Sequence, residues 1–88
     1  MPQRTVTIGS AQGLHARPAT LFVQAVTATG LPVTIATAGK EPVNAGSMLA
    51  VMTLGAAHGD EVTITAEGEG ADAALDSLAQ LLASELDG

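Results

Sequence analysis

Three stretches of the chain carry the same alternation. Residues 4–8 read RTVTI, residues 32–37 read PVTIAT and residues 61–66 read EVTITA. In each, threonines alternate with Val or Ile, the period-two signature of a half-buried strand. Val6, Ile8, Val33, Ile35, Val62 and Ile64 fall on one side, and the threonines fall on the other. Such strands build an antiparallel sheet with one wet face, its helices confined to the opposite face. A fourth, weaker strand is predicted over Lys40 to Val43, joined to the second through a hairpin turn at Ala38-Gly39.

Between the strands the apolar period changes to that of a helix. From Ala16 to about Ala28, residues Pro18, Phe22, Ala25, Val26 and the trailing Thr29 lie near one face, and Gly30 supplies a stop. Ser47 to Leu54 is a short apolar segment closed by Gly55. From Gly70 to about Leu86, the leucines at 75, 78, 82 and 86 recur at helical spacing, with Asp72 suited to the positive end of the helix dipole. The expected order is β α β β α β α. It specifies an α+β fold, an open-faced two-layer β-sandwich of a four-stranded antiparallel sheet with three helices on one face. At 88 residues, with no linker, repeat or low-complexity block, residues 1–88 are expected to form a single domain. Phe22 is the sole aromatic residue, so the core must be made of aliphatic side chains and methionine.

Charge narrows the function classes. The net charge is −6, and the three basic residues, Arg4, Arg17 and Lys40, are dispersed. That is no footprint for nucleic acid, which needs clustered Lys and Arg. The absence of cysteine removes disulfides, thiolate metal sites and cysteine nucleophiles. Two distant histidines, His15 and His58, offer no metal-ligand spacing. The first residues lack the apolar run of a signal peptide, and no stretch is apolar enough to span a bilayer. A cytoplasmic, monomeric protein without cofactor is expected.

The residues most suggestive of chemistry lie at the first helix start, in Gly13-Leu14-His15-Ala16-Arg17-Pro18-Ala19. With a helix beginning near Ala16, His15 is its N-cap, where unpaired backbone amides and the dipole favour an anion. Pro18 gives up its own N–H, which a first turn tolerates. The amides of Ala16 and Arg17 remain to hold phosphate oxygens, and Arg17 adds a fork of donors. Neutral imidazole is a nucleophile near physiological pH, so a phosphoryl group could be taken onto the ring and passed on. Gly13 is read as keeping the approach to the ring clear. Taken alone, one His near one Arg more often makes a polar cap beside a solvated side chain.

This stretch resembles the active-site motif of the HPr family, the histidine-containing phosphocarriers of the bacterial sugar phosphotransferase system. Residues 44–56, NAGSMLAVMTLGA, resemble the regulatory-serine segment of the same family, and the length and element order also agree. The resemblance implies that His15 accepts a phosphoryl group on Nδ1 from phosphorylated enzyme I, which takes it from phosphoenolpyruvate. His15 then passes it to the A domain of a sugar-specific enzyme II permease. Such a protein is a stoichiometric carrier rather than an enzyme. Arg17 is implied as the residue that orients the phosphate. Ser47 is implied as a regulatory phosphorylation site for an HPr kinase/phosphorylase, although an N-cap serine needs no such role. Met48, Leu49 and Met52 are implied as an apolar docking surface, and methionine suits an adaptable one. Val51 and Leu54 are read as core.

The pattern departs from the family in two places. Gly46 stands where a basic residue often precedes the serine, and Gln24 and Thr27 occupy exposed positions where relatives carry lysine. His58 is read as a solvated turn residue. Glu67, Glu69, Asp72, Asp76, Glu85 and Asp87 are read as a solvated acidic face. Three other functions are compatible with parts of the sequence: the same carrier in a regulatory, nitrogen-related relay; a binding module that has lost transfer; and a small metabolite-binding α+β domain. The second lacks the active histidine this chain keeps, and the third leaves the pairing of His15 with Arg17 without a reason.

Overall fold

A computed structural model describes residues 2–9, 13 and 16–84. The elements follow the expected order: β1 (Gln3–Thr7), α1 (Ala16–Thr29), β2 (Val33–Thr37), β3 (Val43–Asn44), α2 (Met48–Leu54), β4 (Glu61–Ala66) and α3 (Ala71–Ala83). The strands form one antiparallel sheet in the order β1-β4-β2-β3. Val6 lies opposite Val62 and Arg4 opposite Ile64, while Ile35 lies opposite Ile64 on the other side of β4. Register therefore gathers the β-branched residues of three strands on one face.

The helices cover that face. Phe22 and Val26 of α1, Val51 of α2 and Leu75, Leu78 and Leu82 of α3 are buried against Ile8, Val33, Ile35, Val62 and Ile64. The opposite face is polar. Thr5 and Thr63 are cross-strand partners with hydroxyl oxygens 3.1 Å apart, and Thr34 and Thr65 lie opposite each other in the next row. The open-faced α+β architecture expected from the alternating threonines is the one observed.

Two boundaries differ from the expectation. The turn after β2 is present: Lys40 N–H donates to the Thr37 carbonyl at 3.1 Å, and Gly39 takes a φ of +79°. The third strand does not begin at Lys40, however. It is confined to Val43–Asn44, paired with Ile35 and Thr34, because Pro42 has no N–H to give to the ladder. At the other end, α3 stops at Ala83 rather than near Leu86. Ser84 turns to extended backbone, and its hydroxyl donates to the Leu81 carbonyl at 2.7 Å, competing with helix continuation. Leu86 lies outside the described residues.

Arg4 has a structural role that its sequence position did not disclose. It sits on the helix-facing side of the edge strand β1. Its Nε donates to Asp76 at 2.9 Å and its Nη2 to Asp72 at 3.3 Å, and Nη1 donates to the Gln3 carbonyl. The hydrogen bond to Asp76 first, and its charge, hold the guanidinium above its ordinary pKa. An inward-directed charge on an edge strand also discourages pairing with another sheet.

Candidate functional site

The site begins with helix α1, whose first residue is Ala16. Pro18 lies in the first turn and is buried, which fits its fixed φ and missing N–H. Arg17 is exposed. His15 immediately precedes α1 in the sequence, but His15 and Leu14 lie outside the described residues, as does the side chain of Ala16. The arrangement of the imidazole and the two amides is therefore carried by the sequence argument.

Gly13 is placed, and it has a packing role that the expectation of a clear approach to the ring does not include. It is buried with φ +75°. A Cβ there would overlap the Ala56 carbonyl oxygen and come 2.8 Å from Ala57 Cα. The glycine is needed for close backbone packing and for its left-handed conformation. Gly9 makes a similar approach at the other end of the segment. Its N–H donates to Leu82 O at 2.9 Å, and a Cβ would overlap the Ala83 carbonyl. The histidine-bearing segment is thus rooted against the end of α3 at Gly9 and against the residues after α2 at Gly13.

This packing yields a stability prediction. Gly13→Ala combines a positive φ with a backbone overlap, whereas Gly30→Ala carries only the positive φ, with no atom within 4 Å of the new Cβ. Strain of this kind costs about 1–3 kcal/mol. Urea unfolding should show the larger loss for Gly13→Ala, and equal losses would refute the close-packing role.

Helix α2 brings the second motif alongside. Ser47 caps it: Ala50 N–H donates to Ser47 Oγ at 3.2 Å, and Val51 N–H donates to the Ser47 carbonyl at 3.0 Å. Asn44 sets up this entry, its Oδ1 accepting from Gly46 N–H at 2.9 Å. Gly55 ends the helix with φ +72°. Seven residues cannot bury every face. Val51 and Leu54 enter the core, while Leu49 is 77% exposed and Met52 43% exposed. Met48 is half-buried against the core, and Thr20 Oγ1 donates to its Sδ at 3.7 Å. That contact joins α1, one turn after Arg17, to the apolar outer side of α2. The structure therefore brings the two sequence motifs together, with Leu49 and Met52 supplying the exposed apolar surface and Met48 its base.

Lys40 is the residue near this region that the sequence did not single out. It lines a cleft of about 470 Å³ with Glu41, Val43, Ser47, Leu49, Ala50, Thr53 and Leu54. The turn that ends β2 puts it there, and no local motif marks it. The other candidates that are described lie on the surface, with Asp72 and Asp76 paired to Arg4. His58 is exposed in a turn closed by Asp60 N–H donating to Ala57 O and Ala57 N–H donating to Asp60 Oδ2. Glu67, Glu69, Asp72 and Asp76 are exposed, and Glu85 and Asp87 lie outside the described residues. Among the described residues no group of three or more His, Cys, Asp or Glu could hold a metal, and no helix is long and apolar enough to cross a membrane.

Comparison with known proteins converges on one family. A family model described as the PTS HPr component phosphorylation site matches residues 2–84. The chain is 58% identical over 87 residues to the phosphocarrier protein HPr of Streptomyces coelicolor, covering 99% of this chain and 94% of that protein. The crystal structure of HPr-C-His from Thermoanaerobacter tengcongensis superposes with a TM-score of 0.90 at 35% identity, covering 100% of this chain and 98% of that one. An HPr dimer from the same organism gives a TM-score of 0.69 at 36% identity, with 92% of each chain covered.

Proposed function

The chain belongs to the HPr family of phosphocarriers, and from that premise we propose that it relays a phosphoryl group on His15 between phosphorylated enzyme I and the A domains of sugar-specific enzyme II permeases. The observation that supports this reading is the start of α1 at Ala16 with Pro18 in its first turn; His15 immediately precedes that start in the sequence, and the first turn of a helix leaves backbone amides without intrahelical partners. In the first handover, Nδ1 of the neutral ring attacks phosphorus, and the bond from phosphorus to the enzyme I donor breaks. The amides of Ala16 and Arg17, together with the Arg17 guanidinium, take up the charge on the phosphoryl oxygens. The second handover reverses the roles, with the imidazole as leaving group. The protein is unchanged after a full cycle and turns over no substrate of its own, so it acts as a stoichiometric carrier.

Residues 1–88 act as one domain in this reading, as a monomer in the cytoplasm. Partners dock on Met48, Leu49 and Met52, where exposed apolar surface adjoins the first turns of α1. Ser47 is the regulatory position. A phosphate on its Oγ would add about two negative charges at the edge of the docking surface and repel acidic partners, although Gly46 deprives a kinase of the basic neighbour it often meets.

The experiment is a two-step transfer followed by intact mass. Mixed with enzyme I and phosphoenolpyruvate, the protein should gain one acid-labile phosphoryl group and lose it when an enzyme II A domain is added. An unmodified protein would refute the reading. The docking chemistry carries a further expectation. Gln24 and Thr27 leave the exposed stripe of α1 without lysine, so association should depend little on charge. The transfer rate should change by less than about threefold between low and physiological salt, as measured by rapid quench. A steep fall would show that ion pairs dominate docking.

A further inference from the structure

Two methionines lie on α2, and their surroundings differ. The Met48 thioether is half-buried against the core and accepts a hydrogen bond from Thr20. Met52, one turn later, is 43% exposed and reaches solvent beside Leu49, the most exposed large apolar side chain of the described residues at 77%. The chain contains no Cys, Trp or Tyr, and Met1 is its only other methionine. An oxidant of the peroxide class finds no thiol here, and among the described residues the Met52 side chain is the more exposed thioether.

We propose that Met52 is a reversible oxidation site through which a peroxide weakens partner docking. The sulfur attacks one peroxide oxygen, the O–O bond breaks, and the thioether becomes a sulfoxide while the peroxide is reduced to water. The sulfur is oxidised by two electrons. Reversal requires two thiols, supplied by a thiol-dependent sulfoxide reductase, which become a disulfide as the oxygen leaves as water. The product replaces an apolar, adaptable side chain by a strongly polar one in the middle of the exposed patch. A partner must then desolvate the sulfoxide oxygen without a donor placed to meet it, which costs affinity. Met48 is shielded from the same reaction by its burial and by the Thr20 hydroxyl.

The functional half of this inference rests on the docking role proposed above, and the experiment separates the two. The full-length protein is treated with dilute hydrogen peroxide, quenched, digested and mapped by mass. Met52 sulfoxide should form ahead of Met48 sulfoxide, a result independent of any partner. Oxidation of Met48 first, or of both at one rate, overturns the proposal. The rate of phosphoryl uptake from enzyme I is then compared before and after treatment. A fall of about tenfold is expected for the wild type, restored by a thiol-dependent sulfoxide reductase. A treated-to-untreated ratio of one overturns the proposal. In Met52→Leu that ratio should be close to one whatever the basal rate of the variant, and a fall as large as that of the wild type overturns the proposal by placing the loss elsewhere. An untreated wild type that takes up no phosphoryl group refutes the carrier role, and with it the effect on docking, while leaving the Met52 mapping as a separate result.

Discussion

His15→Ala is expected to take up no phosphoryl group from enzyme I and phosphoenolpyruvate under conditions that fully label the wild type. In the proposed relay the carrier itself is the covalent intermediate, so removing the nucleophile removes the reaction rather than slowing it. No other side chain can substitute. Ser47 has a hydroxyl whose oxygen already accepts the Ala50 N–H, with no base assigned to activate it. His58 stands in an exposed turn rather than at a helix start, and His58→Ala should label fully. Arg17→Ala keeps the nucleophile and loses charge at the phosphoryl oxygens, so labelling should survive but slow by roughly ten- to a hundredfold. The thermal transition of His15→Ala should stay within a few degrees of the wild type. Loss of label accompanied by loss of fold would leave the assignment unsupported.

Phe22→Ala has the largest expected effect on stability. Phe22 is fully buried at the centre of α1 and is the only aromatic in the chain. The core it shares with residues such as Val26, Ile35 and Leu75 is itself buried, and a close-packed core relaxes only partly into the space it leaves. Removal of a buried Phe costs about 3–5 kcal/mol, against a total of about 5–15 kcal/mol for a domain and less for a small one. For this size each kcal/mol moves the midpoint by about 4–8 °C, so the variant should melt at least about 12 °C lower or be unfolded at room temperature. Far-ultraviolet circular dichroism measures this without needing a tryptophan. Leu49→Ala, at an exposed position, should stay within about 0.5 kcal/mol of the wild type. Equal melting of Phe22→Ala and wild type would contradict the packing described for α1.

The elements that could be read in advance are those whose pattern is local. The alternating threonines of β1, β2 and β4 state both their period and their wet face, and the burial of Leu75, Leu78 and Leu82 follows from the helical spacing of α3. Ser47 and Gly55 bound α2 through caps that depend on neighbours a few residues away. The features that escaped depend on distant partners. Gly13 packs on Ala56 and Ala57, a contact that nothing near it in the sequence announces. Arg4 meets Asp72 and Asp76 across the sheet-helix interface, although in sequence it is an isolated cation. Lys40 lines the cleft beside Ser47 from the turn that follows β2, a placement no local motif announces. Within the site, the proposed chemistry rests on the adjacency of His15, Arg17 and Pro18 in the sequence, while the meeting of α1 with α2 through Thr20 and Met48 required the fold.

The central claim is that the phosphoryl group rides on Nδ1 of His15. Uniformly nitrogen-15-labelled protein, phosphorylated with enzyme I and phosphoenolpyruvate, can be observed by nuclear magnetic resonance at the two ring nitrogens and at phosphorus. A phosphorus coupling to Nδ1 of His15, lost on acid treatment and absent from His15→Ala, is the result expected. A phosphorus coupling to a His58 nitrogen, or an acid-stable phosphate on Ser47 as the sole product, would contradict it.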